Sequence, residues 1–144
     1  MEATHHTIPG IESGPRPLAD ILKDLARPIP ARHLREKKQG GVGRVTRPLL
    51  TFCPWYRTQK ILDHYTRGHW ESRVTGITTS DERVFVTVRV TIHAAEGSFS
   101  REATGTELLS VNAYGDPSSN AESMAFRRAC AKFGLGLHLY EKED

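Results

Sequence analysis

An α+β fold is what the sequence predicts: a β-hairpin and an antiparallel three-stranded sheet packed with helices, with a β-β-β-α core. Three observations carry this expectation. Over Arg83–His93, Val84, Val86, Val88 and Val90 alternate with Phe85, Thr87, Arg89 and Thr91, which puts a valine row on one face of a strand. Trp70–Thr78 and Phe99–Leu109 flank it, joined through Ser80-Asp81-Glu82 and Ala95-Glu96-Gly97, links short enough for antiparallel hairpins. The stretch from Asp116 to Tyr140 then reads as one capped, basic helix with a short tail.

Residues 1–16 are expected to be a disordered tail, because Pro9, Gly10, Gly14 and Pro15 punctuate a stretch with few apolar anchors. Its early charge is acidic, unlike a transit peptide, and neither a signal peptide nor a membrane span is legible. The single domain is assigned to 17–144. In Pro17–Ala26, Leu18, Ile21, Leu22 and Leu25 recur at helical spacing, opened by a proline and closed before Pro28. Ala31–Lys38 and Arg44–Phe52 suit two strands joined by a hairpin tip at Gln39-Gly40-Gly41-Val42-Gly43. Pro54–Gly68 predicts a second helix, with Ile61, Leu62 and Tyr65 facing inward.

For the last helix, Ser119 and Glu122 have the spacing of a capping box, Pro117 lies just upstream, and Gly134 stops the helix after Phe133. At about 100° per residue, Phe126, Ala129, Cys130 and Phe133 form one apolar stripe. Arg128 and Lys132 share the opposite side, with Arg127 at its flank. Such a helix docks by one face and offers cations on the other.

With 144 residues the chain is long enough to bury a core without disulfides or metal. A net charge of +3 says little about partners, but its distribution says more. From Arg27 to Lys60 the cations are Arg27, Arg32, Arg35, Lys37, Lys38, Arg44, Arg47, Arg57 and Lys60, against the single acid Glu36. Beyond Arg73 acids outnumber cations, so the field is one-sided and suits a polyanion. Cys53 and Cys130, far apart in sequence, read as free buried thiols in a reducing cytoplasm.

Enzymatic chemistry finds little support. Gly40-Gly41-Val42-Gly43-Arg44 lacks the ending of a phosphate loop. The seven histidines are scattered, with no paired spacing that would ligate zinc, so no metal and no cofactor are expected. Asp81, Glu82, Glu96, Asp116 and the terminal Glu141, Glu143 and Asp144 fall in turns and tails, and no nucleophile elbow, acid pair or metal-binding carboxylate set is present, so no catalytic residue is assigned. The chain reads as a binder. Phe52, Trp55, Tyr56 and Trp70 are either core aromatics or planes on which bases stack.

The order of a basic hairpin, a helix, a strand entered through Gly68-His69-Trp70, two more strands and a helix carrying Ala125-Phe-Arg-Arg-Ala-Cys-Ala-Lys-Phe-Gly134 resembles the Rad-fifty-two-type single-strand annealing proteins. Glu122, Arg127, Arg128, Lys132 and Phe133-Gly134 match the family's helix, and Leu135–Tyr140 is similar to its bacterial and phage DNA-damage-response branch. The resemblance covers roughly Pro28 to Tyr140. It implies a β-β-β-α core assembling into rings or helical arcs, with single-stranded DNA in a basic groove and strands annealed without ATP. Arg127, Arg128 and Lys132 would lie on the groove floor, with Arg35, Lys37, Lys38, Arg44 and Arg47 of the hairpin above. Phe52 is the nearest match to the family's hairpin aromatic. Ala131 stands where eukaryotic members often carry a further arginine, beside Lys132. The C-terminal extension through which eukaryotic members recruit a recombinase has no counterpart here, which sets recombinase loading aside.

The partners implied are single-stranded DNA, further copies of the chain, and a recombination exonuclease or single-strand-binding protein; the implied location is cytoplasmic and nucleoid-associated, away from membranes. Two alternatives stand beside this reading. The order α-β-β-β-α also belongs to double-stranded-RNA modules, so the chain could be a duplex-binding or DNA-end-protecting module without annealing activity. It could also be a structural oligomerisation protein whose basic face meets an acidic partner.

Overall fold

The computed structural model describes residues 13–37, 49–110 and 116–141. In chain order the elements are α1 (Leu18–Leu25), a 3-10 turn at Ala31–His33, β1 (Arg35–Lys37), β2 (Leu50–Phe52) and α2 (Trp55–Thr66). There follow β3 (Trp70–Thr79), β4 (Arg83–Ala94), β5 (Gly97–Leu108), α3 (Pro117–Ala131) and a 3-10 turn at Leu137–Tyr140. The fold is α+β, with one antiparallel sheet β1-β2 and a second, β3-β4-β5.

The valine row organises the core. Val84, Val86, Val88, Val90 and Ile92 are all buried on one face of β4, and α3 lies across β4 and β5 on that side. Its approach to β5 is close because the facing residues are small. A Cβ added at Gly105 would stand 2.1 Å from the Ala121 carbonyl oxygen and 2.7 Å from the Ala125 nitrogen. Ala121, Ala125 and Ala129, spaced by four, are buried completely on the helix face that meets the sheet. The other face of the sheet is polar: Thr87 pairs with Thr104, Thr91 with Ser100, and Arg89 with Glu102. β3 carries a bulge between Val74 and Gly76. Its Val74 and Ile77 share the valine face, opposite Val88 and Val86, yet are 39% and 60% exposed.

The N-terminal segment closes over α2. The Arg16 guanidinium donates to the Tyr65 carbonyl at 2.8 Å and to Asp24 at 2.7 Å, and the Arg16 carbonyl accepts from Ala95 N–H at 2.8 Å. The expected tail over 1–16 otherwise lies mostly outside the described residues. α2 follows Pro54, its N-cap, and ends through Arg67 and Gly68, both left-handed at φ 58° and 81°. Besides Leu62 it buries Thr58 and Thr66, whose hydroxyls donate to helix carbonyls and so enter the core with their polarity satisfied. Cys53 and Cys130 are free and buried.

Two local expectations need correction. Ala31–His33, expected as the start of a strand, is a 3-10 turn after Pro30, and among the described residues β1 pairs with β2 through Arg35–Phe52, Glu36–Thr51 and Lys37–Leu50. The α3 cap is Asp116, not Ser119. The Asp116 carboxylate accepts from Ser119 N–H at 2.8 Å and from the Ser118 hydroxyl at 2.8 Å, and Pro117 begins the helix. An aspartate directly before Pro117 caps more effectively than a serine placed where the helix is already formed.

Candidate functional site

α3 determines the site, because its buried alanine face fixes which way its cations point. Phe126 packs on Trp70 at 5.9 Å between ring centroids, and the Trp70 indole N–H donates to Asp63. The next residue, Arg127, is thereby directed toward β2. Its guanidinium lies over the Phe52 ring, 5.1 Å from the centroid, and Lys37 Nζ approaches the same ring at 5.3 Å. One aromatic ring thus draws together a cation from α3 and a cation from β1.

The electrostatics of this cluster are unfavourable in isolation. Burial pulls the Lys37 ammonium below its ordinary value, Arg127 pulls it further, and Glu107 opposes them. Burial also lowers Arg127, with added repulsion from Arg128, against Tyr140 and Cys53, which act the other way. Two partly desolvated cations sharing one ring are stabilised by any anion that enters. Phe52, Arg127 and Arg128 line a cleft of about 310 Å³ together with Cys53, Met124, Leu139 and Tyr140.

Arg128 and Lys132 take a different course. The Arg128 guanidinium donates to the Thr104 carbonyl at 3.1 Å, and Lys132 Nζ donates to the Glu102 carbonyl at 2.6 Å. Both side chains therefore lie along the free edge of β5, beside a shallow groove that also touches Leu137 and Tyr140. Ala131, between them, is buried.

Of the sequence-predicted residues, Lys37, Phe52 and Arg127 form one cluster, and Arg128 and Lys132 extend it along β5. Arg35 is the cross-strand partner of Phe52, but its exposed guanidinium bonds the neighbouring Leu34 carbonyl. Lys38, Arg44 and Arg47 lie outside the described residues. Tyr140, 49% exposed and lining both clefts beside Arg128, was missed in the sequence. Its only sequence signal was an aromatic closing an apolar run past the end of α3.

No family model matches the chain. The chain is 38% identical over 130 residues to DNA repair RAD52-like protein 1, mitochondrial, of Arabidopsis thaliana, a match covering 89% of the chain and 70% of that protein. The chain belongs to the RAD52-like DNA repair protein family. A second member of this RAD52-like family, DNA repair RAD52-like protein 2, chloroplastic, from the same plant, is 38% identical over 128 residues, covering 88% of the chain and 62% of that protein. Both relatives are plant proteins, so they support the family and do not speak for its bacterial or phage branch. Among the described residues of this family member, no helix is long and apolar enough to cross a membrane.

Proposed function

We propose that this chain acts in DNA repair by binding single-stranded DNA along the track Lys37–Phe52–Arg127–Arg128–Lys132 and promoting ATP-independent annealing of complementary strands. The observation that carries the reading is the Phe52 ring with Lys37 and Arg127 both over it. A ring flanked by cations offers a base a stacking plane and its phosphates a charge partner, without base-specific readout. Kinship with RAD52-like DNA repair proteins supports the same reading.

In this mechanism Arg127, Arg128 and Lys132 hold the backbone, and the strand's pairing edges stay free for a complement. Each neutralised phosphate releases counterions, so log affinity falls with log salt by about 0.7 per contact. No side chain of the track needs to react. The homo-oligomer, a ring or helical arc, belongs to the same proposal: repeating the track in successive copies raises avidity. The apolar Val74, beside Trp55, and Ile77, both left uncovered on β3, support contact between copies. The bacterial-branch assignment, the cytoplasmic, nucleoid-associated location and an exonuclease or single-strand-binding partner are parts of this proposal as well.

The test is annealing of two dye-labelled complementary oligonucleotides, without nucleotide or metal, at low and moderate salt. The expected result is a salt-sensitive acceleration that is lost in the Arg127→Ala/Arg128→Ala double variant. Binding without acceleration would overturn annealing and leave a DNA-binding or end-protecting module. Light scattering on the same preparation is expected to give a multiple of the 16.1 kDa chain mass.

A further inference from the structure

A second cationic cleft lies between α1, the Ala31–His33 turn and α2, separated from the Phe52 and Arg127 cleft by Ile29 and Leu135, which line both. Its volume is about 340 Å³, within the roughly 300–1,000 Å³ range of small-molecule sites. Arg27, Arg32, Arg57 and Lys60 line it against one carboxylate, Asp24. That carboxylate is already engaged, by Arg16 at 2.7 Å and by Arg27 at 3.2 Å. Apolar walls from Leu25, Ile29, Ile61 and Leu135 enclose the rest.

Arg57 is the most telling residue. One of its terminal nitrogens donates to His33 Nδ1 at 2.9 Å, which makes that nitrogen the acceptor of a neutral ring. Its Nε is buried and has no hydrogen-bond partner among the described residues. A buried guanidinium donor without a partner is costly, and a fork with one prong used and another idle suits a bidentate oxyanion. Burial and the Arg32 and Arg57 charges push His33 below its ordinary value, as expected for a cleft short of negative charge.

We propose that this cleft is a binding site for a phosphate monoester of nucleotide size, with Arg57, Arg32 and Lys60 holding the phosphate and the apolar walls taking the remainder. The same chemistry belongs to a free nucleotide and to the terminal 5′-phosphate of a DNA strand. The site stands on its own cations, none of which belongs to the annealing track.

The experiment follows the side-chain NMR signals of Arg57 Nε–H and of the His33 ring in the full chain. The probes are inorganic phosphate and thymidine 5′-monophosphate. Saturable shifts with a midpoint below about 10 mM are expected, weakened about tenfold in both Arg57→Gln and the exposed-site variant Lys60→Ala. No shift, or shifts retained in both variants, would overturn the proposal. Oligothymidylates with a 5′-phosphate or a 5′-hydroxyl separate the two sources, compared in the Arg127→Ala/Arg128→Ala background so that failure of the track is distinguishable. About fivefold tighter binding of the phosphorylated strand, lost on adding Arg57→Gln, assigns the site to strand ends. Equal binding of the two strands, with thymidine 5′-monophosphate still bound, assigns it to a free nucleotide.

Discussion

The two sheets of this molecule differ in size and in what they carry. Among the described residues, twelve register pairs join β4 to β5, whereas three join β1 to β2. The larger sheet is covered by α3 on its valine face and together with α3 contributes most of the core; the smaller one places Lys37 and Phe52 against α3 from outside. A two-stranded pairing does not stand alone in water. Its cations are held in place because Phe52 meets Arg127 on a helix that the larger sheet has already fixed. Stability and recognition are therefore carried by different sheets and meet at α3.

The largest expected effect comes from the large sheet. Gly105→Val places side-chain atoms where the Ala121 carbonyl and Ala125 nitrogen stand, both backbone and unable to swing aside. The expected loss is at least about 4 kcal/mol, with loss of cooperative unfolding by circular dichroism and of DNA binding along with it. A variant melting within a few degrees of the parent would show that α3 does not depend on this close approach.

A change in the small sheet should behave in the opposite way. Phe52→Leu keeps an apolar contact with β1 but removes the ring that gathers Lys37 and Arg127. Affinity for oligothymidylate is expected to fall about five- to tenfold by fluorescence anisotropy, while the melting temperature hardly moves. Equal losses of stability and affinity would mean that the two sheets are not energetically separate.

The smallest effect concerns the helix that joins them. The Ser119 backbone N–H, followed by the Ser118 and Ser119 hydroxyls, holds the Asp116 carboxyl below its ordinary value. A carboxylate lowered in the folded state contributes stability above its unfolded pKa, about 3.9, and that contribution is lost as pH falls through the lower folded value. Asp116→Ala should therefore melt slightly earlier than the parent at neutral pH. The gap should close below the ordinary carboxylate range, and a gap independent of pH in thermal scans would reject Asp116 as the charged cap.

The larger sheet was legible because its signal is local. A period-two valine row and two short turns leave little freedom in register, and the observed β3, β4 and β5 begin and end within two residues of the expected strands. The first hairpin was read less well. The strand pattern at Ala31 was overridden by a 3-10 turn after Pro30, closed locally by His33 N–H donating to the Pro30 carbonyl and Leu34 N–H to the Ala31 carbonyl. The α3 stripe of Phe126, Ala129, Cys130 and Phe133 was read correctly, and all four are buried. Ala121 and Ala125 were not singled out, because alanine signals burial only when something as small as Gly105 faces it.

The sequence by itself determined the class of fold, the basic last helix and the residues competent to meet a polyanion, since periodicity, capping and charge distribution are properties of short stretches. Tertiary structure alone decided that Arg127 turns onto Phe52 while Arg128 and Lys132 lie along β5. It alone gathered Arg32, Arg57 and Lys60 around one cleft. These groupings join residues far apart in the chain, and the close seating of α3 on Gly105, with the packing of α1 on α2, sets their distances.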